Sequence, residues 1–235
     1  VVTSEMTIPE GFTIADMVAR VAETVERPAD TVRARLTDPD AHLRWDLPGP
    51  GLEGYLFPDT YRFAPGVALD VVIETMVERY HAAWTAARIT RLEELDMSEN
   101  ELVTLASIIQ AEARRVEEMQ TISAVYHNRL RRGMRLQADP TVLYALGGRR
   151  ERLLYAAIDS VADNPYNTYI QRGLPPGPIA APGEAAIHAA LYPTEEGYLY
   201  FVARPDGRHI FTHSLEEHNL AREIARSERN AAVRP

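Results

Sequence analysis

The sequence predicts an α+β protein that is mostly helical and carries a small antiparallel sheet. Helices are indicated by apolar residues that recur every three to four positions, most clearly between residues 98 and 132. A β-hairpin is indicated where two short runs of aromatic and β-branched residues flank the turn Pro205–Gly207. The alternating prolines and glycines of Pro48–Gly51 predict a linker, and therefore two domains, residues 1–47 and residues 52–235.

The first domain is predicted to contain one strand and two short helices. Residues 1–7 favour an extended strand, whose partner we expect to be missing. Thr13 is a suitable N-cap for a helix, which Pro28 breaks. Asp30 is then expected to cap a second helix, Val32–Leu36.

The second domain is predicted to begin with two short strands within residues 52–63, followed by a helix from Asp70 to about Ile89. Another helix opens at Ser98 with a capping box, in which Ser98 and Glu101 bond each other's backbone amides, and runs to about Arg115. The remaining predicted elements are a helix over 117–132 ended by Gly133, a helix with Asp139 at N-cap and Pro140 at N1, helices over 153–158 and 183–191, hairpin strands 198–202 and 209–213, and a C-terminal helix opened by a capping box of Ser214 and Glu217.

Glu112 is the residue of the Ser98 helix that we predict to carry chemistry. At about 100° per residue it lies within roughly 60° of three apolar residues on its helix face, Leu105, Ile108 and Ile109. A carboxyl group placed there loses hydration, so its pKa should rise, and it could donate a proton as a general acid. Gln110 points to the opposite side. The alternative is an ion pair between Glu112 and Arg115 or another arginine, because structural ion pairs outnumber catalytic acids.

The composition excludes several classes of function. The net charge of −9 argues against nonspecific nucleic-acid binding but not against a polysaccharide substrate. The absence of cysteine removes thiolate metal sites and cysteine nucleophiles, and the absence of lysine removes pyridoxal-phosphate chemistry. No apolar run is long enough to span a bilayer, and no signal peptide is visible. Since the chain begins with Val1, we interpret it as a soluble fragment whose membrane anchor, if any, preceded it.

Several motifs together resemble the MltG/YceG-like family of endolytic murein transglycosylases. In chain order they are Leu52-Glu-Gly-Tyr-Leu-Phe-Pro-Asp-Thr-Tyr61, Leu105-Ala-Ser-Ile-Ile-Gln-Ala-Glu112, Tyr126-His-Asn-Arg-Leu130, Gly133-Met-Arg-Leu-Gln-Ala-Asp-Pro-Thr-Val142, Tyr166-Asn-Thr-Tyr169, Gly173-Leu-Pro-Pro-Gly-Pro-Ile179, Tyr198-Leu-Tyr-Phe-Val-Ala203 and Glu217-His-Asn219. A departure is Gln110, which stands where many members carry a second acid. Residues 147–160 match the family poorly.

The resemblance implies a fold and an activity. Residues 1–47 are similar to the end of a LysM-like subdomain, and residues 52–235 to a lysozyme-like catalytic domain. The implied reaction is non-hydrolytic cleavage of the MurNAc-β-1,4-GlcNAc bond of peptidoglycan, a lyase reaction that leaves 1,6-anhydroMurNAc ends and needs no cofactor. It also implies one N-terminal membrane helix outside this chain, a catalytic domain on the extracytoplasmic side of the cell membrane, and the cell-wall synthesis machinery as a partner.

The resemblance also assigns the catalytic role to Glu112, as general acid and then base. Gln137 lies in a loop similar to one that lines the sugar cleft of lysozyme-like transglycosylases, and Asn167 and Tyr169 suit sugar binding. A satisfied loop amide and a packed tyrosine are equally compatible with the sequence. Asn128 could support Glu112 or bind substrate, although a bridge to a neighbouring loop is favoured.

Other polar residues are given structural roles. Asp139 is interpreted as the N-cap already described, and Glu53 and Asp59 as turn or strand residues rather than cleft carboxylates. His209, His213 and His218 could suggest a metal site, but we expect none, because scattered histidines are usually structural. Two other functions stay open: a muramidase that uses water at the same site, and a non-catalytic glycan-binding or scaffold protein.

Overall fold

The protein, described by a computed structural model over residues 3–148 and 155–233, is an α+β fold with two small antiparallel sheets. Its first half contains β1 (Ser4–Thr7), α1 (Ile14–Val25), α2 (Ala29–Leu36), α3 (Ala41–Arg44), β2 (Thr60–Phe63), α4 (Leu69–Ala82), α5 (Ala86–Glu94) and α6 (Glu99–Glu112). Its second half contains a 3₁₀ turn (Val116–Glu118), α7 (Met119–Arg131), α8 (Asp139–Ala145), α9 (Tyr155–Asp159), α10 (Glu184–Leu191), β3 (Tyr200–Ala203), β4 (His209–Thr212) and α11 (Leu215–Val233).

The first strand has a partner, contrary to the prediction. β1 pairs antiparallel with β2, with Ser4 opposite Phe63 and Thr7 opposite Thr60. The partner was not recognised because β2 lies beyond the predicted linker, in the other half of the chain. One continuous apolar core also includes residues from both sides of that linker, such as Met17 and Val72. The division at Pro48–Gly51 stays a prediction.

The predicted N-caps Thr13 and Ser98 are confirmed. Thr13 and Asp16 form a capping box at the start of α1, and Ser98 and Glu101 form one at the start of α6. The helix predicted at Asp30 instead starts earlier, with Pro28 at N-cap and no side-chain cap. Pro28 is extended there, with φ −57° and ψ 138°, and it has no side chain that could accept the amides of the first turn.

Two predicted elements differ in the structure, and the start of a third is not among the described residues. The segment from Asp70 to Ile89 is two helices, because the chain turns at residues 83–85 and Thr85 caps α5. The strand predicted at the start of residues 52–63 is a series of turns: three consecutive residues, Tyr55, Leu56 and Phe57, are all buried, so burial does not alternate. The helix predicted over 153–158 is seen from Tyr155 to Asp159, and the first two residues of the prediction lie outside the described residues.

The C-terminal elements follow the prediction closely. β3 and β4 form the expected antiparallel hairpin, with Tyr200 opposite Thr212. At the start of α11 the Ser214 hydroxyl accepts the Glu217 amide at 3.1 Å, but the Glu217 carboxylate bonds the amide of His213 rather than that of Ser214. Only half of the predicted capping box is therefore present.

α6 is the central helix of the core. Every residue from Leu102 to Ile109 is buried, and the helix packs against α7 and α10. Its last turn reaches the protein surface, and Ala113 leaves the helix in an extended conformation. Within residues 3–148 and 155–233, no helix is both long and apolar enough to cross a membrane.

Candidate active site

The last residue of α6 is Glu112, which lies where the central helix emerges from the core. Its side chain is partly accessible to solvent but closely surrounded by protein atoms. The Tyr126 hydroxyl, on the neighbouring helix α7, donates a hydrogen bond to Glu112 Oε1 at 2.9 Å. The other carboxylate oxygen accepts no hydrogen bond from the described residues. The protein thus fixes one oxygen, and the part of the chain that the structure describes leaves the other without a partner.

Burial raises the pKa of the Glu112 carboxyl group to about 7. The hydrogen bond from Tyr126 and the positive charge of Arg129 act in the opposite direction, whereas the negative charge of Asp139 raises the pKa further. The direction agrees with the sequence prediction. At neutral pH the group therefore exists in both protonated and ionised forms, as a residue that donates a proton and later accepts one requires.

The ion-pair alternative for Glu112 does not hold among the described residues. Arg115 instead lies 3.4 Å from the Glu117 carboxylate and donates to the carbonyl of Asp206 at 3.1 Å. In that part of the chain no arginine lies within 4.0 Å of the Glu112 carboxylate. Among the residues that the structure describes, Glu112 therefore has no salt-bridge partner.

Asp139 and Tyr169 complete the immediate surroundings of Glu112. The prediction that Asp139 is the N-cap of α8 is wrong, because Ala138 takes that position. The Asp139 carboxylate instead accepts a hydrogen bond from the Tyr169 hydroxyl at 2.5 Å. Burial, the hydrogen bond to Asp139 and the nearby charge of Glu112 all raise the pKa of Tyr169. We call Glu112, Tyr126, Arg129, Asp139 and Tyr169 the acid cluster.

Arg129 fixes the acid cluster to two loops. Its guanidinium donates to the carbonyl of Leu199 at 2.7 Å and to that of Leu136 at 2.5 Å, and it lies over the ring of Tyr200. The side chain is buried, at 7% exposure. Arg129 thus connects α7 to the hairpin and to the loop before α8, while its charge favours the ionised form of Glu112.

Gln137 lies in the loop between α7 and α8 with its side chain exposed. Its backbone has a left-handed conformation, φ 49°, that is costly for a residue with a side chain. The conformation is held by a 3.1 Å hydrogen bond from the Gln137 amide to the carbonyl of Thr168. Within the described ranges the side-chain amide of Gln137 makes no hydrogen bond and is exposed.

Asn167 is predicted to bind sugar, but the structure places its side chain in the interior. It is fully buried, and its side-chain amide donates to the carbonyls of Ile158 and Val161 at 2.9 and 3.1 Å. Its oxygen accepts the amide of Tyr169 at 3.1 Å. This geometry favours a role in positioning Tyr169 over direct contact with a ligand.

Replacing Asn167 with Ala should therefore destabilise the protein. The change leaves two carbonyls and one amide without their partner, and a buried unsatisfied group typically costs about 1–3 kcal/mol. Urea denaturation should show a free energy of unfolding lower by about 2 kcal/mol. The matched control is Asn219→Ala on α11, where the side chain is exposed. Equal stability of the two variants would contradict this role.

Asn128 also acts as a bridge between elements. Its amide donates to the carbonyls of Glu196 and Tyr198, both at 2.9 Å, and its oxygen accepts from Arg131. These contacts join α7 to the segment before β3, which is the loop-bridging role that the sequence favoured. The acid cluster includes Tyr169 but neither Asn128 nor Asn167.

The other carboxyl groups have separate environments. Asp59 pairs with Arg79 at 2.8 Å, and that hydrogen bond lowers the pKa of Asp59. Glu53 accepts the amide of Ile14 at 3.0 Å and the hydroxyl of Tyr144 at 3.4 Å, and burial raises the pKa of Glu53 to about 8. The sequence indicated a turn or strand role for Glu53. In the structure it is an interior carboxyl group that joins separate elements.

The histidines are engaged with neighbouring side chains. His209 Nδ1 lies 2.7 Å from Glu118 Oε2, His213 stacks on Tyr198, and the ring of His218 stacks on Tyr200. Across residues 3–148 and 155–233, no group of three or more histidine, aspartate or glutamate side chains is arranged to hold a metal ion.

Sequence reasoning missed Tyr126 and Arg129. Both lie on α7 three residues apart, so they share a helix face. A tyrosine on an apolar helix face cannot be distinguished by pattern from an ordinary core residue. The available signal was Arg129 itself, since a charged residue at a position that the helical periodicity buries requires a specific partner.

The fold and the acid cluster define an α+β protein with one central carboxyl group poised to exchange a proton at the edge of its core. The model of the YceG-like family matches residues 1–224, and the chain belongs to that family. A crystal structure of a yceG-like protein from Listeria monocytogenes superposes with a TM-score of 0.84 at 35% identity, covering 94% of this chain and 76% of that one.

Two similar proteins carry the name endolytic murein transglycosylase. The one from Bacillus subtilis (strain 168) is 36% identical over 241 residues, which are 96% of this chain and 66% of that protein. The one from Streptococcus pneumoniae (strain D39) is 34% identical over 172 residues, 72% of this chain and 31% of that protein. The chain thus spans just under two thirds of the first relative's length and about a third of the second's.

Proposed function

We propose that this chain is a peptidoglycan lytic transglycosylase that cleaves the MurNAc-β-1,4-GlcNAc bond within glycan strands and leaves 1,6-anhydroMurNAc ends. The observation that carries the proposal is the carboxyl group of Glu112: burial raises its pKa to about 7, and among the described residues it accepts one hydrogen bond, from Tyr126, and forms no ion pair. The names of the relatives from B. subtilis and S. pneumoniae support the choice of substrate.

In the proposed reaction Glu112 acts twice. Its carboxylic acid gives a proton to the glycosidic oxygen while the bond from that oxygen to the MurNAc anomeric carbon breaks. The resulting carboxylate accepts the proton of the C6 hydroxyl of the same MurNAc, and O6 bonds to the anomeric carbon. The proton balance closes without water. Because the nucleophile belongs to the substrate, its attack is intramolecular and has a low entropic cost.

The remaining residues are assigned supporting roles. Gln137 and Tyr169 are proposed to bind the sugar next to Glu112. Asn167 positions Tyr169, and Asn128 holds the segment before β3. We further propose that the helical part is lysozyme-like and that residues 1–47 are LysM-like. From the family resemblance we also propose a membrane anchor outside this chain and an interaction with the cell-wall synthesis machinery.

A muramidase is the second candidate, because Asp139 lies near enough to influence the charge of Glu112. In a hydrolase with two carboxyl groups, the second one activates water or stabilises the sugar cation. Its hydrogen bond from Tyr169 leaves Asp139 one oxygen for such a role.

Cleavage in ¹⁸O-labelled water separates these functions. Purified glycan strands without stem peptides are incubated with the protein, and the new ends are analysed by mass spectrometry. The proposal predicts 1,6-anhydro ends without ¹⁸O. Reducing ends that carry ¹⁸O would establish the muramidase, and intact strands in the presence of bound protein would indicate a scaffold.

The rate of cleavage should depend on pH through Glu112. Since the protonated form starts the reaction, kcat/KM should fall as pH rises through about 7.

Replacing Tyr126 with Phe removes a hydrogen bond that lowers the pKa of Glu112, so the fall of kcat/KM should move to higher pH. Phe201, which packs against the Tyr126 ring, keeps its contact in this variant. An unchanged pH profile in Tyr126→Phe would show that Glu112 does not set it.

A further inference from the structure

The hairpin of β3 and β4 carries three rings on the face that contacts α7. Phe201 lies opposite Phe211 in the register of the two strands, and His209 lies two residues before Phe211, so the three side chains share one face. The ring centroid of Phe201 is 5.3 Å from that of His209 and 6.1 Å from that of Phe211. The reaction proposed above assigns no role to these rings.

A series of contacts connects His209 to the carboxyl group of Glu112. The His209 ring meets Phe201 edge to face, and Phe201 meets Tyr126 in the same way, with centroids 5.9 Å apart. The hydroxyl of Tyr126 donates the 2.9 Å hydrogen bond to Glu112 Oε1. We call His209, Phe201 and Tyr126 the ring column. Because closely packed side chains transmit displacements, moving one ring of the column moves the hydroxyl at its end.

Glu118 fixes the far end of the ring column. One of its carboxylate oxygens accepts the backbone amide of His209 at 3.0 Å, and the other lies 2.7 Å from His209 Nδ1. The side chains of His209 and Glu118 are only 3% and 15% exposed, so water competes little for these bonds. Glu118 stands at the N-cap position of α7, yet within the described residues its side chain accepts no amide of that helix. The carboxylate therefore binds β4 rather than its own helix.

α7 holds the hairpin at its other end as well. Asn128 and Arg129 donate to the carbonyls of Tyr198 and Leu199, just before β3. Near Glu118 the hairpin turn is also contacted by Arg115, whose hydrogen bond to the carbonyl of Asp206 is exposed to solvent. The buried bonds of Glu118 are thus the firmer attachment on this side, and without them the hairpin can pivot about the other attachment.

We propose that Glu118 and His209 are a positioning pair for the reaction: by fixing the ring column, they aim the hydroxyl of Tyr126 at Glu112. The inference rests on the proposed function for its effect on catalysis, whereas the effect on Glu112 itself is independent of any substrate. Neither residue of the pair touches the reacting atoms, and both act through Tyr126. A pair that only stabilised the hairpin would leave the environment of Glu112 unchanged.

A ¹³C NMR titration of the Glu112 carboxyl carbon tests the inference without a substrate. Glu118→Ala removes both bonds to His209. When the Tyr126 hydroxyl loses its alignment, the midpoint should rise by about 0.5–1 pH unit, since a hydrogen bond to the ionised form lowers the pKa of a carboxyl group. Loss of the negative charge of Glu118 alone would lower the midpoint instead. The sign of the shift thus separates positioning from a direct charge effect.

Three further variants make this result specific. Glu118→Gln can keep both hydrogen bonds, because its amide oxygen can accept the His209 amide and its nitrogen can donate to Nδ1, so its midpoint should match wild type. Glu117→Ala removes the neighbouring, exposed carboxylate and should also leave the midpoint unchanged. In a Tyr126→Phe background, which lacks the hydroxyl, Glu118→Ala should cause no further rise.

Three outcomes would overturn the proposal: a midpoint that is unchanged or lower in Glu118→Ala, an equal rise in Glu118→Gln, or an undiminished rise in the Tyr126→Phe background. Circular dichroism shows whether each variant is folded. If Glu118→Ala is not, Phe201→Leu replaces it, since this change removes the middle ring of the column and leaves Glu118 bonded to His209. The same rise is then expected, and its absence would contradict the proposal.

Activity on purified glycan strands tests the catalytic part of the inference. Glu118→Ala should lower kcat by about tenfold, because the carboxyl group is less well oriented toward the glycosidic oxygen. KM should change little, because the pair does not contact the substrate. A raised midpoint with unchanged kcat, or a loss confined to KM, would refute the role in catalysis. Wild-type protein that cleaves nothing would refute the proposed function alone, since the titration does not depend on cleavage.

Discussion

Replacing Glu112 with Gln is expected to abolish measurable cleavage of glycan strands, with kcat reduced by about 10³-fold or more. The amide has nearly the shape of the carboxyl group and can still accept the hydrogen bond from Tyr126, but it can neither donate an acidic proton nor accept one. General acid–base catalysis alone contributes about 10²–10⁴-fold, and here one group does both tasks. The rate is measured as soluble product released from purified strands.

The matched control for this variant is Glu117→Gln. Glu117 lies five residues further along the chain, exposed and paired with Arg115. Its substitution removes the same charge from the same region and should leave kcat unchanged. Glycan binding by Glu112→Gln should persist, because the substitution leaves the surrounding groups in place. Retained cleavage in Glu112→Gln, or an equal loss in Glu117→Gln, would contradict the assignment.

Loss of activity in Glu112→Gln should not reflect unfolding. The pKa of Glu112 is about 7 in the folded protein and 4.5 in its unperturbed state, so between these pH values the folded chain binds a proton that the unfolded chain releases. Stability from this group is thus full below about pH 4.5 and falls as pH rises through about 7. The amide that replaces the carboxyl group cannot ionise, so the variant should be at least as stable as wild type at neutral pH.

The largest expected effect on stability is that of Arg129→Met. The substitution keeps most of the side-chain volume but leaves the carbonyls of Leu136 and Leu199 without donors in a buried site. At about 1–3 kcal/mol for each unsatisfied group, we expect the free energy of unfolding to fall by about 3 kcal/mol. For a chain of this size the melting temperature should then fall by about 8 °C.

Urea and thermal denaturation measure this change, with Arg132→Met as the control. Arg132 follows the last turn of α7 and is exposed, so its substitution should alter stability by less than about 0.5 kcal/mol. If Arg129→Met is as stable as Arg132→Met, the contacts of Arg129 do not hold the loops around Glu112. The melting curve of Arg129→Met, unlike that of Glu112→Gln, should shift at every pH.

Local signals in the sequence predicted most of the elements. The N-cap at Thr13, the capping box at Ser98, the hairpin around Pro205–Gly207 and the helical periodicity of α6 each depend on residues that are close in the chain. The pairing of β1 with β2 joins residues more than fifty positions apart, and no local pattern encodes it. The break between α4 and α5 was missed because the apolar periodicity continues across it.

In the candidate site, too, only the features that depend on residues close in the chain were predictable. The inward orientation and raised pKa of Glu112 followed from its position on one amphipathic helix. Its partners come from other elements: Tyr126 from α7 and the Asp139–Tyr169 pair from two segments thirty residues apart. For Asp139 the preference of aspartate for helix starts suggested a cap, but its carboxylate bonds a distant tyrosine. Side-chain partners across the fold require the structure.

The account depends most directly on the protonation of Glu112 near neutral pH. A ¹³C NMR titration of the glutamate carboxyl carbons, with Glu112 assigned by the loss of its signal in Glu112→Gln, measures this property in the intact protein. The account predicts a midpoint near pH 7 for Glu112. A midpoint near 4.5, the unperturbed value, would mean that the group is ionised at neutral pH and cannot serve as the proton donor.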